Sequence, residues 1–253
     1  MNQREDLIQY LLRLGDSALI QGQRLCEWCG KAPALEEELA LMNVGLDLVG
    51  QARNWLDYAA ELLADGRDAD DLAYRRDERA YRNLLLVEQP NGDYAVTIVK
   101  QFLYDAWHFQ VLHALSSSSD ERVAGIAAKA LKEVTYHLRR SGEWVERLGD
   151  GTDESHQRML AAIEQVWRFS VELVNGDDVE QRLAAAGIGA QPDEIASAWL
   201  AKVADVFGRA TLPVPPAASY FYLSGRRGLH SEHLGILLAE MQFLPRAYPD
   251  ATW

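Results

Sequence analysis

Apolar residues recur at steps of three and four along most of the chain, the period of helices that bury one face. The first such segment runs from about Glu5 to Cys29, with Leu7, Leu11, Leu14, Ala18, Gln21, Leu25 and Trp28 in one stripe. Gly30 supplies a left-handed stop. After Pro33 a second helix extends to about Ala64, with Leu35, Leu39, Met42, Leu46, Val49 and Leu56 as its expected core face and Asp65-Gly66 closing it. A third covers about Tyr94 to Leu115 and a fourth about Glu121 to Leu148, and Ser118 and Glu121 between them have capping-box spacing. Thr152 can cap a fifth, from Asp153 to Val174. Residues from about Asp68 to Pro90 are polar and mixed, with a short helix expected around Asp77 to Leu86 and a turn at Pro90-Asn91-Gly92. Shorter helices are expected near Pro192 to Arg209 and Ser231 to Ala247, separated by Pro213, Pro215 and Pro216.

Neither an alternating strand pattern nor a Gly-rich phosphate loop interrupts this rhythm, so the expected class is all-α. Two long helices, a long crossover and two more long helices is the ferritin-like four-helix bundle order, here with additional C-terminal helices. The expectation is one domain over residues 1–253, with a core bundle at about 5–149 and further packed helices at about 152–247.

Three polar residues break the apolar stripes. Asp105 lies among Ile98, Phe102, Phe109 and Leu112, while Glu133 and His137 lie among Ile126, Ala130, Ser141, Trp144 and Leu148. A buried charge needs a partner or a metal. A di-iron carboxylate bundle uses a Glu from each of two helices and a Glu-x-x-His step from each of the other two. Here the second helix offers Asp47-Leu48-Val49-Gly50, the fourth offers Glu133-Val134-Thr135-Tyr136 with His137 one residue late, and the first offers Gln21. That set is too poor for two irons. Two readings stay open: a single metal on Asp105, Glu133 and His137, or a hydrogen-bonded network in which His137, Tyr136 and Arg53 satisfy the acids.

His230 and His233 sit three apart at a helix start without a third ligand, so capping, surface contact or a subunit interface accounts for them better than a metal. His108 and His113 lack ligand spacing and read as structural. Cys26 and Cys29 lack the strand-to-helix context of a redox pair and the further ligands of a zinc site, leaving two ordinary thiols. A net charge of −13, from 25 basic and 38 acidic side chains, argues against nucleic acid or an anionic membrane as partner. Arg75-Arg76 or Arg226-Arg227 could still attract an anionic ligand such as a coenzyme A thioester. No apolar run of about 18 residues and no secretory signal are present, so a cytoplasmic protein is expected.

Several segments carry a more specific likeness: Leu12 to Asp16 (LRLGD), Glu27 to Gly30 (EWCG), Gly45 to Asn54 (GLDLVGQARN), Asn83 to Asp93 (NLLLVEQPNGD), Asp105 to His108 (DAWH), Glu146 to Asp153 (ERLGDGTD) and Gly228 to Gln242 (GLHSEHLGILLAEMQ). In these the chain resembles the PaaC-type subunits of bacterial phenylacetyl-coenzyme A epoxidases (ring 1,2-epoxidases), multicomponent oxygenases of aerobic phenylacetate breakdown. The likeness is weakest from about Asn175 to Tyr222.

The resemblance implies a ferritin-like fold and a non-catalytic structural role. The di-iron centre and the binding of the coenzyme A ester belong to a related subunit, a small subunit bridges, and a reductase with flavin and an iron-sulfur cluster brings electrons from NADPH. It implies no catalytic, cofactor-binding or metal residue in this chain. Asp47, Asp105, Glu133, Tyr136 and His137 are then remnants of a lost site, with Gly50 and Tyr136 standing where the catalytic relative has His. A partly apolar partner interface is expected on one side of the first two helices, with Trp55 and Tyr58 as anchors. The alternatives are a metal-binding oxygenase in its own right and a helical scaffold with unrelated partners.

Overall fold

A computed structural model describes residues 2–217, 224–249 and 251. The end of the weakly matching stretch, at Tyr222, lies outside the described residues. The described chain is helical, in the order α1 (Gln3–Cys26), α2 (Leu35–Leu63), α3 (Ala69–Tyr74), α4 (Leu85–Glu88), α5 (Tyr94–Leu115), α6 (Glu121–Gly149), α7 (Asp153–Val166), α8 (Val171–Val174), α9 (Asp178–Ala185), α10 (Pro192–Arg209), α11 (Glu232–Met241) and α12 (Phe243–Ala247). Three short 3-10 turns punctuate it at Glu78–Ala80, Trp167–Ser170 and Gly225–Arg227. The class is all-α, with the ferritin-like order of two long-helix hairpins joined by a crossover segment. Its contacts divide it into two compact units, Met1–Pro90 with Phe221–Trp253, and Asn91–Tyr220.

In the first unit α1 and α2 form a hairpin. Asn2 opens α1 with a capping box closed by Glu5, and Ala64 ends α2 in the left-handed region at φ 53°, just ahead of Gly66. The expected stripe of α1 is buried from Leu7 to Leu25. Small residues let the two backbones approach. A Cβ on Gly22 would stand 3.0 Å from the Gly45 carbonyl oxygen, and one on Gly45 would stand 2.9 Å from Cys26 Sγ. Gly22→Val is therefore expected to lower stability by about 1–3 kcal/mol through overpacking, measured by urea unfolding; an unchanged midpoint would show that the hairpin can spread.

The inward face of α2 differs from the expected one. Of the expected face only Leu56 is buried, beside Leu41, Val44, Leu48 and Trp55, whereas Leu35, Leu39 and Leu46 are 67%, 53% and 62% exposed. The helix is apolar on two sides, and period alone does not say which one meets the core.

In the second unit α5 and α6 form the other long hairpin, and α7 and α10 pack on α5. Asp120, not Ser118, caps α6, accepting from the Arg122 and Val123 amides. Ser118 instead donates to the Ile188 carbonyl at 2.8 Å. Thr152 caps α7 as expected. Trp199 of α10 is buried, and its indole N–H donates to the Leu103 carbonyl of α5 at 2.9 Å. The helix α9 follows Asp177, a capping residue closing a box with Glu180, and is an element that the hydrophobic pattern does not announce.

Candidate functional site

The interior of the second unit gathers part of the candidate set. Every residue of α5 from Ala95 to His108 is buried, and Gln101, Tyr104, Asp105 and His108 share one face at steps of three and four. On α6 the buried residues include His137 and Ser141, one turn apart. The Ser141 hydroxyl donates to Asp105 Oδ2 at 2.8 Å.

Burial pushes the Asp105 carboxyl up to about 6, against the opposing pull of His137 and of the Ser141 hydrogen bond. The same burial lowers His108 to about 3 and holds Tyr104 well above its ordinary value, so both are neutral at physiological pH. The Tyr104 and His108 ring centroids lie 5.0 Å apart.

Other candidates fall elsewhere. The core face of α6 runs through Val123, Ala127, Ala130, Val134, His137, Ser141 and Val145. Glu133 is half-buried at its edge, and Tyr136 is 42% exposed with the Arg139 guanidinium 5.6 Å from its ring centroid. A stripe through Ile126, Glu133 and Trp144 is thus rotated off the core, and the Glu133/Tyr136 step does not mark an inward-facing ligand pair. Asp47, half-buried, and Gly50, exposed, belong to α2 in the first unit.

Arg53 does not neutralise the interior acid either. Its side chain is 78% exposed and lies 3.9 Å from Asp57, whereas Asp105 is held by Ser141. Among the described residues no three His, Cys, Asp or Glu side chains converge as metal ligands. Trp55 and Tyr58, expected to anchor a partner, are only 0% and 9% exposed and serve the chain's own core. Cys26 and Cys29 are free thiols, and burial raises the first, which makes it a poorer nucleophile.

The first unit contains two buried polar clusters that period and spacing do not reveal. Glu88, fully buried at the end of α4, accepts at Oε2 from Asn83 Nδ2 at 2.8 Å, and at Oε1 from the amide and hydroxyl of Ser231, each at 2.7 Å. His230 Nδ1 lies 2.8 Å from Glu88 Oε2, and its Nε2 lies 3.1 Å from the Tyr81 carbonyl oxygen. Both ring nitrogens stand opposite oxygen atoms, so the ring is fixed from two sides.

In the second cluster Arg76 grips Asp16 through two nitrogens, and the Arg82 amide donates to Asp16 Oδ2 at 2.7 Å. Arg76 also lies 4.4 Å from the Tyr81 ring centroid, so it is committed to the fold and is not an anion-binding group. Gln242 of the C-terminal segment donates to the Ala73 and Arg76 carbonyls at 3.2 and 3.1 Å.

Three of the segments that carry the likeness hold these anchors. Asp16 ends LRLGD, Asn83 and Glu88 lie in NLLLVEQPNGD, and His230, Ser231 and Gln242 lie in GLHSEHLGILLAEMQ. A family model described as phenylacetic acid catabolic protein matches residues 1–253. The chain belongs to that family. Within the family, the chain is similar to the C component, one of the subunits, of the 1,2-phenylacetyl-CoA epoxidase of Escherichia coli (strain K12), at 53% identity over 253 residues and 100% of both chains. The motif-level resemblance therefore holds from end to end. No helix among the described residues is long and apolar enough to cross a membrane.

Proposed function

We propose that this chain is the non-catalytic structural subunit of a multicomponent oxygenase that epoxidises the ring of phenylacetyl-CoA during aerobic phenylacetate breakdown. In this reading a related subunit holds the di-iron centre and the thioester. A small subunit bridges the assembly, and a reductase with flavin and an iron-sulfur cluster delivers electrons from NADPH. The full-length similarity to a protein named as an epoxidase subunit supports the context.

The division of labour rests on one observation within the chain. Asp105 is the only acid that α5 and α6 bury, while Glu133 and Tyr136 lie at the edge and the surface. Two irons need several hard oxygen ligands converging on one volume. A single carboxyl held by a serine, beside neutral aromatic groups, suits a structural interior.

Metal analysis of the chain alone and of the co-expressed complex tests this. The chain alone is expected to hold no stoichiometric iron and to show no epoxidase activity. In the complex, Glu133→Gln and His137→Gln are expected to leave the iron content unchanged. Stoichiometric iron in the isolated chain, lost in either variant, would overturn the reading.

A further inference from the structure

The solvent-facing side of α2 is apolar without serving the chain's own core. Leu35, Leu39 and Leu46 are 67%, 53% and 62% exposed, and Met42 between them and Val49 after them are half-buried. Their spacing is four, three, four, three, and a further four leads to exposed Arg53. That is the heptad seam of a left-handed helix pair, sustained for four turns. Scattered exposed leucines need no explanation, but a continuous stripe of this length marks an interaction surface.

Gly50 adds an independent observation. It stands in mid-helix on the border of the stripe, where glycine is less favourable than alanine, and a Cβ there would meet nothing within 4 Å. By contrast, Gly45 on the inward side is required by the close approach of α1. Among the described residues nothing requires Gly50, and it leaves a notch open to a knob from outside.

The border also carries charge. Glu36, Glu38, Asp47 and Asp57 flank the stripe, and its cation, Arg53, is engaged with Asp57. A second copy would bring the same acidic border and another net charge of −13 against this face. The complementary surface is instead an apolar helix edged with Lys or Arg.

We propose that Leu35, Leu39, Met42, Leu46 and Val49, with Gly50 as a notch, dock a helix of a different chain that is apolar at heptad spacing and bordered by basic residues. Resting on the structural-subunit reading, that helix belongs to the catalytic subunit. The face replaces the one expected around Trp55 and Tyr58.

The test measures affinity of the full chain for the co-expressed and separately purified catalytic subunit, together with sedimentation of the chain alone. Leu39→Glu/Leu46→Glu is expected to weaken binding by about 100-fold or more, in the range of interface hot spots. Gly50→Leu is expected to weaken it by about 10-fold or more while leaving the melting temperature of the isolated chain unchanged or raised. Leu200→Glu, at an exposed apolar position on α10, serves as a control expected to bind like the parent. Raised salt is expected to slow association.

Binding by the stripe variants within about three-fold of the parent, a range too small for any hot spot, would overturn the docking face. Failure of the unmodified chain to bind the catalytic subunit would overturn the structural-subunit reading beneath it. Dimerisation of the chain alone, abolished by Leu39→Glu/Leu46→Glu, would assign the stripe to a second copy and overturn the heterologous partner.

Discussion

Glu88→Ala is expected to reduce the unfolding free energy by about 3–5 kcal/mol, as several buried donors lose their common acceptor. The reason lies in what is left behind. Asn83 Nδ2, the amide and hydroxyl of Ser231, and His230 Nδ1 all address this one carboxylate. An alanine would orphan them where water does not reach, and each stranded donor costs about 1–3 kcal/mol unless the structure relaxes. Glu88→Gln restores the shape but only in part the chemistry. Its amide oxygen can serve the donors on one side, while its NH2 opposes those on the other, so an intermediate loss is expected.

Urea unfolding checks both variants, and a Glu88/His230 double-mutant cycle isolates the pair. Losses below about 1 kcal/mol for Glu88→Ala would mean that the cluster reorganises around water and does not pin the C-terminal segment. Limited proteolysis adds a local readout, because loosening of residues 224–242 should precede global unfolding.

The same cluster shows why only part of the molecule is legible in the sequence. Period and caps carry the long helices well. Tyr94–Leu115 and Pro192–Arg209 fall where the pattern puts them, because Asp93 and a first-turn proline give them unambiguous starts. Faces are less legible than lengths. On α2 the period assigns the wrong apolar stripe to the core, since a helix with two apolar sides satisfies it twice. On α6 the expected stripe shares Ala130, His137 and Ser141 with the buried row but strays to Ile126, Glu133, Trp144 and Leu148, where Val123, Ala127, Val134 and Val145 are the residues that turn inward.

Long-range polar pairs are not legible at all. Glu88 and His230, or Asp16 and Arg76, are far apart in sequence, and no spacing rule links them. One local signal singles out Glu88: it is an acid directly following the apolar run Leu84-Leu85-Leu86-Val87, in a segment with no amphipathic period to turn it outward. Asp105 and His137 are legible for the complementary reason, as polar residues inside strong apolar periods. Glu133, expected beside them, is misplaced by the rotation of that α6 stripe.

Asp105→Asn is expected to stabilise the chain, by an amount that depends on pH. Burial raises the folded carboxyl to about 6 from an ordinary 3.8. Between these values the folded state binds the proton more tightly than the unfolded state, so wild-type stability falls as pH rises through the interval. The contribution is fully present below the lower value and lost above the upper one. A shift of this size corresponds to about 3 kcal/mol at neutral pH and about 1 kcal/mol at pH ~4.5, at 1.36 kcal/mol per unit. Asparagine keeps an acceptor for the Ser141 hydroxyl and removes the charge. The difference between variant and parent should therefore grow from about 1 to about 3 kcal/mol between pH ~4.5 and ~7.5 in urea unfolding. The opposite sign is equally informative. If His137 and Ser141 held Asp105 as a favourable carboxylate, the variant would lose stability at pH ~7.5, and a difference independent of pH would exclude titration of this group altogether. If the complex holds iron, as proposed, a stabilised variant that leaves the iron content unchanged would place Asp105 among the groups that shape this interior and not among those that hold a metal.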